Sequence, residues 1–149
     1  MMELLILDMG PEHVPAVAAL EPLCFADPWS ERSVASELEN PLSLWLVAIR
    51  DKQVVGYIGS QTVLDETDIM NVAVSPDCRG LGVGRALMTA LEARLRQNGV
   101  VAITLDVRPT NAPAMRLYRC QGFQQVGRRK NYYHNPTEDA LILRKEWNP

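Results

Sequence analysis

The chain has 149 residues, of which 47% are hydrophobic; it can build one core but is too short for two ordinary domains, so we expect a single domain over residues 1–149. Its net charge of −3 at pH 7 does not provide the broad basic face that nucleic-acid binding needs. The N-terminal segment lacks both the basic start of a signal peptide and the length of a membrane span. We therefore expect a cytoplasmic protein that contacts neither nucleic acid nor a membrane.

Apolar runs and turn residues divide the first half of the chain into two helices and four strands. A β-type run at 3–8 precedes apolar residues with helical spacing at 11–23. Ser30 has the side chain of an N-cap for a second helix, which runs to about Glu39 and is stopped by Asn40-Pro41. Three strands follow with short turns between them, at 43–50, 54–63 and about 68–74.

The second half of the chain alternates between helices and strands. A helix is predicted from about Gly82 to Gln97, and Asn98-Gly99 ends it with a left-handed cap. The almost wholly apolar run 100–107 indicates a central strand that is covered on both faces. A short helix at 112–120 and strands at 124–132 and 139–145 complete the chain. The order β-α-α-β-β-β-α-β-α-β-β predicts an α/β fold, a mixed sheet with helices on both faces.

Three glycines, Gly80, Gly82 and Gly84, precede the third helix in the stretch CRGLGVGRAL. Their spacing matches neither a P-loop, which needs Lys-Ser/Thr where Arg85-Ala86 stands, nor the dinucleotide fingerprint G-x-G-x-x-G. Glycines at a helix N-terminus leave backbone N–H groups uncovered at the positive end of the helix dipole, where a pyrophosphate can lie. Arg79 and Arg85 add positive charge. The glycines alone are equally typical of a tight turn packed on its own sheet.

The residues around these glycines carry a family resemblance. The stretch 71–84, NVAVSPDCRGLGVG, resembles the acetyl-CoA-binding motif of the GNAT N-acetyltransferases, in which a strand and a proline precede Arg/Gln-x-x-Gly-x-Gly/Ala at the start of a helix. Arg79, Gly82 and Gly84 occupy the three defining positions. The predicted order of elements is also that of the GNAT acyl-CoA N-acyltransferase fold, so the resemblance covers nearly the whole chain.

Further segments resemble one group within that family, the RimI-type ribosomal-protein-alanine N-acetyltransferases. They are Asp27-Pro28-Trp29-Ser30, then Leu105-Asp106-Val107-Arg108 with Asn111-Ala112, Leu117-Tyr118 and Gly122-Phe123, and finally Arg128-Arg129-Lys130-Asn131-Tyr132-Tyr133. This resemblance implies direct attack of a protein N-terminal α-amine on the thioester of acetyl-CoA. It also implies a specific acceptor, the N-terminal alanine of small-subunit ribosomal protein number eighteen.

The resemblance also assigns the residues that contact acetyl-CoA. The backbone of the strand before the loop would bind the pantetheine arm and polarise the acetyl carbonyl. The coenzyme residues implied are Val72, Ala73, Val74, Arg79, Gly80, Leu81, Gly82, Val83, Gly84, Arg85 and Asn111. No metal is implied, and the odd, widely spaced set of three cysteines also argues against a metal site and against a disulfide framework.

Two residues receive catalytic roles from the resemblance. Tyr118 would donate a proton to the departing thiolate. Asp106 stands where the RimI-type enzymes have a glutamate that takes the proton of the amine, and its shorter side chain would act through a water. The alternative is that Asp106 orients its loop by pairing with Arg108, in which case Glu66 or Asp68 is the next candidate for the base.

Two stretches, 25–30 and 132–139, should flank the entry of the amine. Trp29, Tyr132 and Tyr133 would wall an extended peptide, and three acidic residues would meet basic residues behind its first amine: Glu31, Glu138 and Asp139. An α-amino group has a pKa of about 8 and lysine one of about 10.4, so neutralising them at pH 7 costs about 1.4 and about 4.6 kcal/mol. This difference favours a peptide N-terminus. A small-molecule amine substrate, or a non-catalytic acyl-CoA-binding module, stays open as an alternative, and so does the oligomeric state.

Overall fold

The computed structural model describes residues 3–147, which form seven strands and four α-helices in the predicted order. The strands are β1 (Leu5–Asp8), β2 (Ser43–Arg50), β3 (Gln53–Val63), β4 (Glu66–Val74), β5 (Ala102–Val107), β6 (Gln124–Tyr133) and β7 (Glu138–Glu146). The helices are α1 (Val14–Cys24), α2 (Glu31–Ser36), α3 (Val83–Gln97) and α4 (Ala112–Cys120). The first two helices are shorter than predicted. Single 3-10 turns form before α1, at Pro11–His13, and after α2, at Glu37–Glu39.

Local side chains determine where the helices begin and end. The Ser30 hydroxyl accepts a hydrogen bond from the Ser33 amide at 3.1 Å, which confirms the predicted N-cap of α2. At the start of α4, the Asn111 side chain accepts from the Ala114 amide at 3.3 Å in the same way. Gly99 has a φ of +83° directly after α3, as the predicted left-handed cap requires.

The strands form one mixed sheet in the order β1-β2-β3-β4-β5-β7-β6, in which only β4 and β5 are parallel neighbours. One face packs against α3 and α4 through a core that includes Leu87, Leu91 and Tyr118. The opposite face packs against α1 and α2 through a second core that includes Val17 and Val34. The prediction of helices on both faces is confirmed, as is the central place of β5.

The parallel pair β4 and β5 is joined only where the two strands begin. Residues 66–68 pair with residues 102–104, whereas β4 continues to Val74 along β3. The register between β3 and β4 shifts beside Gly59. Asn71 pairs with Gly59 and Ile69 pairs with the next residue of β3, so Met70 is an extra residue between them. Beyond Asp68, within residues 3–147, no strand covers the β5 side of β4. The result is a wedge between two strands, with an open backbone edge that can bind an extended ligand.

Candidate active site

The wedge between β4 and β5 opens into a cleft with a volume of about 660 Å³. Its walls come from the α1–α2 loop, the two diverging strands, the α4 helix and the end of β6. The lining residues are Cys24, Phe25, Ala26, Asp27, Trp29, Asp68, Ile69, Met70, Asn71, Val72, Thr104, Leu105, Asp106, Val107, Arg108, Asn111, Ala114, Tyr118, Arg129, Tyr132 and Tyr133. Segments that are up to 109 positions apart in the chain therefore meet at one place.

The cleft brings together most of the residues to which the sequence assigns chemistry or peptide contact. Both predicted catalytic residues, Asp106 and Tyr118, line it, and so do the three aromatic residues predicted to contact a peptide, namely Trp29, Tyr132 and Tyr133. Of the predicted coenzyme residues, Val72 and Asn111 line the cleft. The rest of the predicted coenzyme set, Ala73, Val74 and residues 79–85, is not part of the lining.

The glycine loop nevertheless adjoins the cleft at the carboxyl end of β4. Cys24, which lines the cleft, donates from Sγ to the carbonyl oxygen of Val74 at 3.6 Å and accepts from the guanidinium of Arg79 at 3.7 Å. On the other side of the loop, a Cβ added at Gly84 would lie 3.2 Å from Cδ2 of Leu117 in α4. The loop therefore lies between the end of β4 and α4, both of which border the cleft.

The backbone of the loop is shaped by two glycines with left-handed φ angles. Gly80 and Gly82 have φ values of +80° and +83°, and a Cβ at either position would meet no atom within 4 Å. This open space disagrees with the alternative of a turn packed on its own sheet. No side chain within residues 3–147 caps Gly82, and the first hydrogen bond of α3 runs from the Ala86 amide to the Gly82 carbonyl at 3.0 Å. The preceding amides, 83–85, are therefore available to an anionic ligand.

Two residues of the predicted coenzyme set can contribute only backbone groups. Val83 is 1% exposed and Ala73 is 5% exposed, and both side chains belong to the two cores. Arg79 and Arg85, in contrast, are exposed on either side of the glycines. The loop thus combines uncovered amides with two exposed positive charges, a combination that suits a diphosphate.

Tyr118 lies at the buried end of the cleft, on α4. Its side chain packs on Phe123, with ring centroids 5.8 Å apart, and only 7% of the residue is exposed. Burial raises the pKa of the Tyr118 hydroxyl, and the neighbouring Tyr133 raises it further. None of the hydrogen bonds between described residues uses this hydroxyl, so it is a neutral donor free to act on a bound group.

Asp106 is paired, but not with the residue that the sequence suggests. Its Oδ1 accepts from Nε of Arg129 in β6 at 3.3 Å, and the guanidinium of Arg129 also lies 5.8 Å from the ring centre of Tyr132. The alternative pairing with Arg108 is wrong, because Arg108 turns toward the β6–β7 connection, where it forms an ion pair with Glu138 at 3.3 Å. Since the Arg129 side chain is 53% exposed, water screens its attraction to Asp106. The Asp106 carboxylate can therefore exchange this partner for another cation.

Two of the acidic residues predicted to face a basic peptide already form ion pairs within the chain. Glu138 accepts from the amide and the hydroxyl of Thr110 at 3.2 and 2.9 Å in addition to its pair with Arg108. Asp139 pairs with Arg128 at 3.2 Å. The structure therefore uses two of the three acids expected to face a basic peptide to hold the β6–β7 connection in place.

Two other carboxylates take the exposed positions on the cleft wall. Asp27 and Asp68 both line the cleft and are exposed. Sequence reasoning named Asp27 only as part of the segment Asp27-Pro28-Trp29-Ser30 and gave its carboxylate no role, and it considered Asp68 only as a substitute base. The other substitute, Glu66, does not line the cleft and pairs with Arg144 at 2.6 Å.

A buried carboxylate below the cleft was also missed. Glu21 is 0% exposed and accepts a hydrogen bond from the Trp29 amide at 2.7 Å. Burial raises its pKa, although the hydrogen bond from that amide opposes the rise. The sequence feature that could have revealed Glu21 is its position on the apolar face of α1. It comes four residues after Val17 and seven after Val14, where a charged side chain is unusual.

Residues 3–147 contain neither a metal-binding cluster nor a membrane-spanning helix. No group of three or more His, Cys, Asp or Glu side chains in that range is arranged to hold a metal ion. Cys24, Cys78 and Cys120 are free thiols. None of the helices described between residues 3 and 147 combines the length and the apolar character that a membrane crossing needs.

Comparison with known proteins gives consistent matches over most of the chain. The sequence profile of the acetyltransferase (GNAT) family matches residues 14–123. The ribosomal protein bS18-alanine N-acetyltransferase of Salmonella typhimurium strain LT2 is 39% identical over 135 residues, which cover 87% of this chain and 88% of that protein. The protein of the same name from Escherichia coli K12 is 38% identical over 135 residues, with the same two coverages.

Solved structures agree with this assignment. The crystal structure of the ribosomal-protein-S18-alanine N-acetyltransferase from Escherichia coli superposes with a TM-score of 0.89 at 34% identity, covering 97% of this chain and 94% of that one. The NatC complex bound to Gag peptide and CoA gives a TM-score of 0.88 at 21% identity over 99% of this chain and 100% of that one, a likeness of fold alone. This chain belongs to the acetyltransferase (GNAT) family, adopts the GNAT fold and is an N-acetyltransferase.

Proposed function

We propose that this enzyme transfers the acetyl group of acetyl-CoA to the N-terminal α-amine of a protein, and that its acceptor is the N-terminal alanine of ribosomal protein bS18. The observation that carries the proposal is the 39% identity over 135 residues to a relative named for that reaction. The open cleft between β4 and β5 supports it, because an extended peptide end fits a surface groove better than a closed pocket. Since the proposed substrate is a ribosomal protein, we propose that the reaction takes place in the cytoplasm.

Acetyl-CoA is proposed to bind along the open edge of β4 and over the glycine loop. The backbone of residues 72–74 has no strand on its β5 side and can hydrogen-bond the pantetheine arm and the acetyl carbonyl. The uncovered amides 83–85 and the guanidinium groups of Arg79 and Arg85 would hold the diphosphate. Asn111, at the rim of the same cleft, would contact the arm between them. A protein that shares this fold is described with CoA bound, which supports the assignment.

The chemical step is direct transfer between two bound groups. The neutral α-amine attacks the thioester carbonyl, the carbon–sulfur bond breaks, and the thiolate takes a proton. Tyr118 is the proposed proton donor, because its hydroxyl is neutral, unpaired within residues 3–147 and on the lining of the cleft. The acetyl group is already activated, so holding the two reactants in line supplies most of the rate enhancement.

Asp106 is the proposed acceptor of the proton that the amine loses, acting through a water. An incoming α-ammonium group can replace the half-exposed Arg129 as the cation beside this carboxylate. Trp29, Tyr132 and Tyr133 are proposed to wall the peptide on either side of that position.

Replacing Asp106 with asparagine should lower kcat/KM for the peptide about 10²-fold, because general-base catalysis contributes at least that much. The variant keeps the size of the side chain and loses only the proton acceptor, so acetyl-CoA affinity should not change. Asp106→Glu is the matched control and should keep activity, since it carries the longer carboxylate typical of the RimI-type enzymes. The pH–rate profile of each variant is the measurement. An Asp106→Asn profile that matches the wild type in shape and height would move the base to Asp68.

The acceptor itself is tested with a peptide that begins with alanine and arginine. We expect mass spectrometry to show one acetyl group on the α-amine and none on the same peptide when its N-terminus is blocked. Free lysine should be a poor acceptor, because neutralising its amine at pH 7 costs about 4.6 kcal/mol. Acetylation of the blocked peptide would defeat the N-terminal assignment. Thiol release with polyamines or aminoglycosides, and none with peptides, would assign a small-molecule acceptor instead.

A further inference from the structure

Glu21 is a fully buried carboxylate that the proposed chemistry does not use. The residue is 0% exposed and lies on the face of α1 that packs on the sheet. Burying an unpaired carboxylate costs several kcal/mol, so a charged side chain at this depth must be stabilised by its partners. Which partners these are determines what the residue does for the site above it.

The partners of Glu21 come from three different elements. Oε1 accepts from the backbone amide of Trp29, in the α1–α2 loop, at 2.7 Å. Oε2 accepts from the side-chain amide of Asn71, in β4, at 3.0 Å, and from the hydroxyl of Tyr57, in β3. One carboxylate therefore ties the loop to two strands of the sheet.

Two of these partners lie in the two parts of the cleft that are proposed to bind different substrates. Trp29 belongs to the loop that is proposed to face the peptide, and Asn71 directly precedes the β4 residues that are proposed to bind the thioester arm. Asn71 is also the first paired residue after the extra residue Met70. Its position therefore sets the register in which the rest of β4 pairs with β3. Both residues line the cleft, whereas Glu21 lies beneath it.

The contacts of the Trp29 ring connect the same elements a second time. The ring packs on Trp45 with centroids 5.5 Å apart, and Trp45 stacks on Tyr57 with centroids 5.9 Å apart and planes 10° from parallel. The ring of Trp29 is thus connected to Tyr57 through Trp45, and its backbone amide is connected to Tyr57 through Glu21. A loop tied at two points is pre-organised for its ligand.

We propose that Glu21 is a positioning residue: it sets the distance between the Trp29 loop and the thioester-binding part of β4, and so aligns the peptide amine with the acetyl carbonyl. The inference rests on the proposed function for the assignment of peptide to the loop and thioester to β4. Rates of group transfer between bound reactants depend steeply on such alignment.

The competing explanation is that Glu21 only stabilises the fold, and the chain offers a matched control for it. Glu37 is also buried, at 8% exposed, and also accepts three hydrogen bonds, which come from the side chains of Ser43, Trp45 and Gln61 at 3.2, 3.3 and 2.9 Å. Neither Glu37 nor any of these three partners lines the cleft. Removing either carboxylate leaves comparable donors unpaired. Glu21, however, bonds directly to two residues of the cleft lining, whereas Glu37 reaches the lining only through the packing of Trp45 on Trp29.

The experiment compares Glu21→Ala with Glu37→Ala in the full chain. Both should lose stability to urea, since each leaves buried donors without an acceptor. Only Glu21→Ala should lower kcat/KM for the alanine-led peptide, by about tenfold or more, because only this variant releases both the Trp29 amide and the Asn71 side chain. Hydrogen exchange at the Trp29 amide should accelerate in Glu21→Ala and stay slow in Glu37→Ala. Glu21→Gln should restore most of the activity, since its amide oxygen can still accept from Trp29.

Equal changes in kcat/KM for Glu21→Ala and Glu37→Ala would overturn the proposal, and so would unchanged protection of the Trp29 amide in Glu21→Ala. If Glu21→Ala does not fold, the same comparison is made with Glu21→Asp and Glu37→Asp, which keep the charge and shorten the reach. If the wild-type enzyme acetylates a different amine, the variants are compared on that amine. Failure of the peptide assignment and failure of the Glu21 role are then distinguished.

Discussion

Replacing Tyr118 with phenylalanine should lower kcat about 10²- to 10⁴-fold, the range that a positioned acid contributes. Affinity for acetyl-CoA should stay close to that of the wild type. The phenyl ring keeps the packing on Phe123 and the burial of the side chain, so only the hydroxyl is lost. Because that hydroxyl makes no hydrogen bond within residues 3–147, its removal leaves no buried partner unsatisfied and should not destabilise the fold.

Steady-state thiol release gives kcat for this variant, and calorimetry gives the Kd for acetyl-CoA. Tyr133→Phe is the control, since Tyr133 lines the same cleft. Burial also raises the pKa of this second tyrosine, to about 12. This control should act mainly on the KM for the peptide. A raised pKa also means that ionisation of Tyr118 does not limit the wild-type rate below about pH 10, the ordinary pKa of tyrosine. Loss of coenzyme binding in Tyr118→Phe would show a structural role instead.

Replacing Gly82 with valine should abolish detectable binding of acetyl-CoA while the protein stays folded. The position has a φ of +83°, which costs an L-residue roughly 1–2 kcal/mol, and a side chain there would occupy the open space above the α3 amides. The strain displaces the backbone that is proposed to hold the diphosphate, and the added carbons block access to it. Calorimetric titration with acetyl-CoA is the direct measurement.

Gly99 provides a matched control at the other end of the same helix. It also has a φ of +83°, and a Cβ there would likewise meet no atom within 4 Å. Gly99→Val should therefore cost the same roughly 1–2 kcal/mol of stability and leave coenzyme binding unchanged. If the two variants bound acetyl-CoA equally well, the glycine loop would not be the diphosphate site. If both lost binding, the effect would come from α3 as a whole.

Predictability from sequence was highest where a feature depends on neighbours along the chain. The N-cap Ser30 and the left-handed residue Gly99 each act within about one helical turn, so their residue types were sufficient to predict them. The alternation of apolar segments and turns gave the order of strands and helices for the same reason. The glycine loop was recognisable because uncovered amides at a helix start need a specific local backbone.

The cleft, in contrast, depends on pairings that span the chain. Asp106 lies in β5 and Arg108 directly follows that strand, yet each pairs with a different partner from the last hairpin, Arg129 and Glu138. Which of several similar charges comes closest is decided only after β6 and β7 have taken their register beside β5. Sequence spacing carries no information about that choice.

The amino-acid sequence by itself determined the element order, the helix caps, the glycine loop and the residues proposed to carry the chemistry, because each depends on local periodicity or on a short motif. Only the tertiary structure decided that β4 and β5 separate after Asp68, that Arg129 pairs with Asp106, and that Glu21 joins the loop to the sheet. Each of these rests on contacts between segments distant in the chain, whose geometry exists only once the sheet has formed.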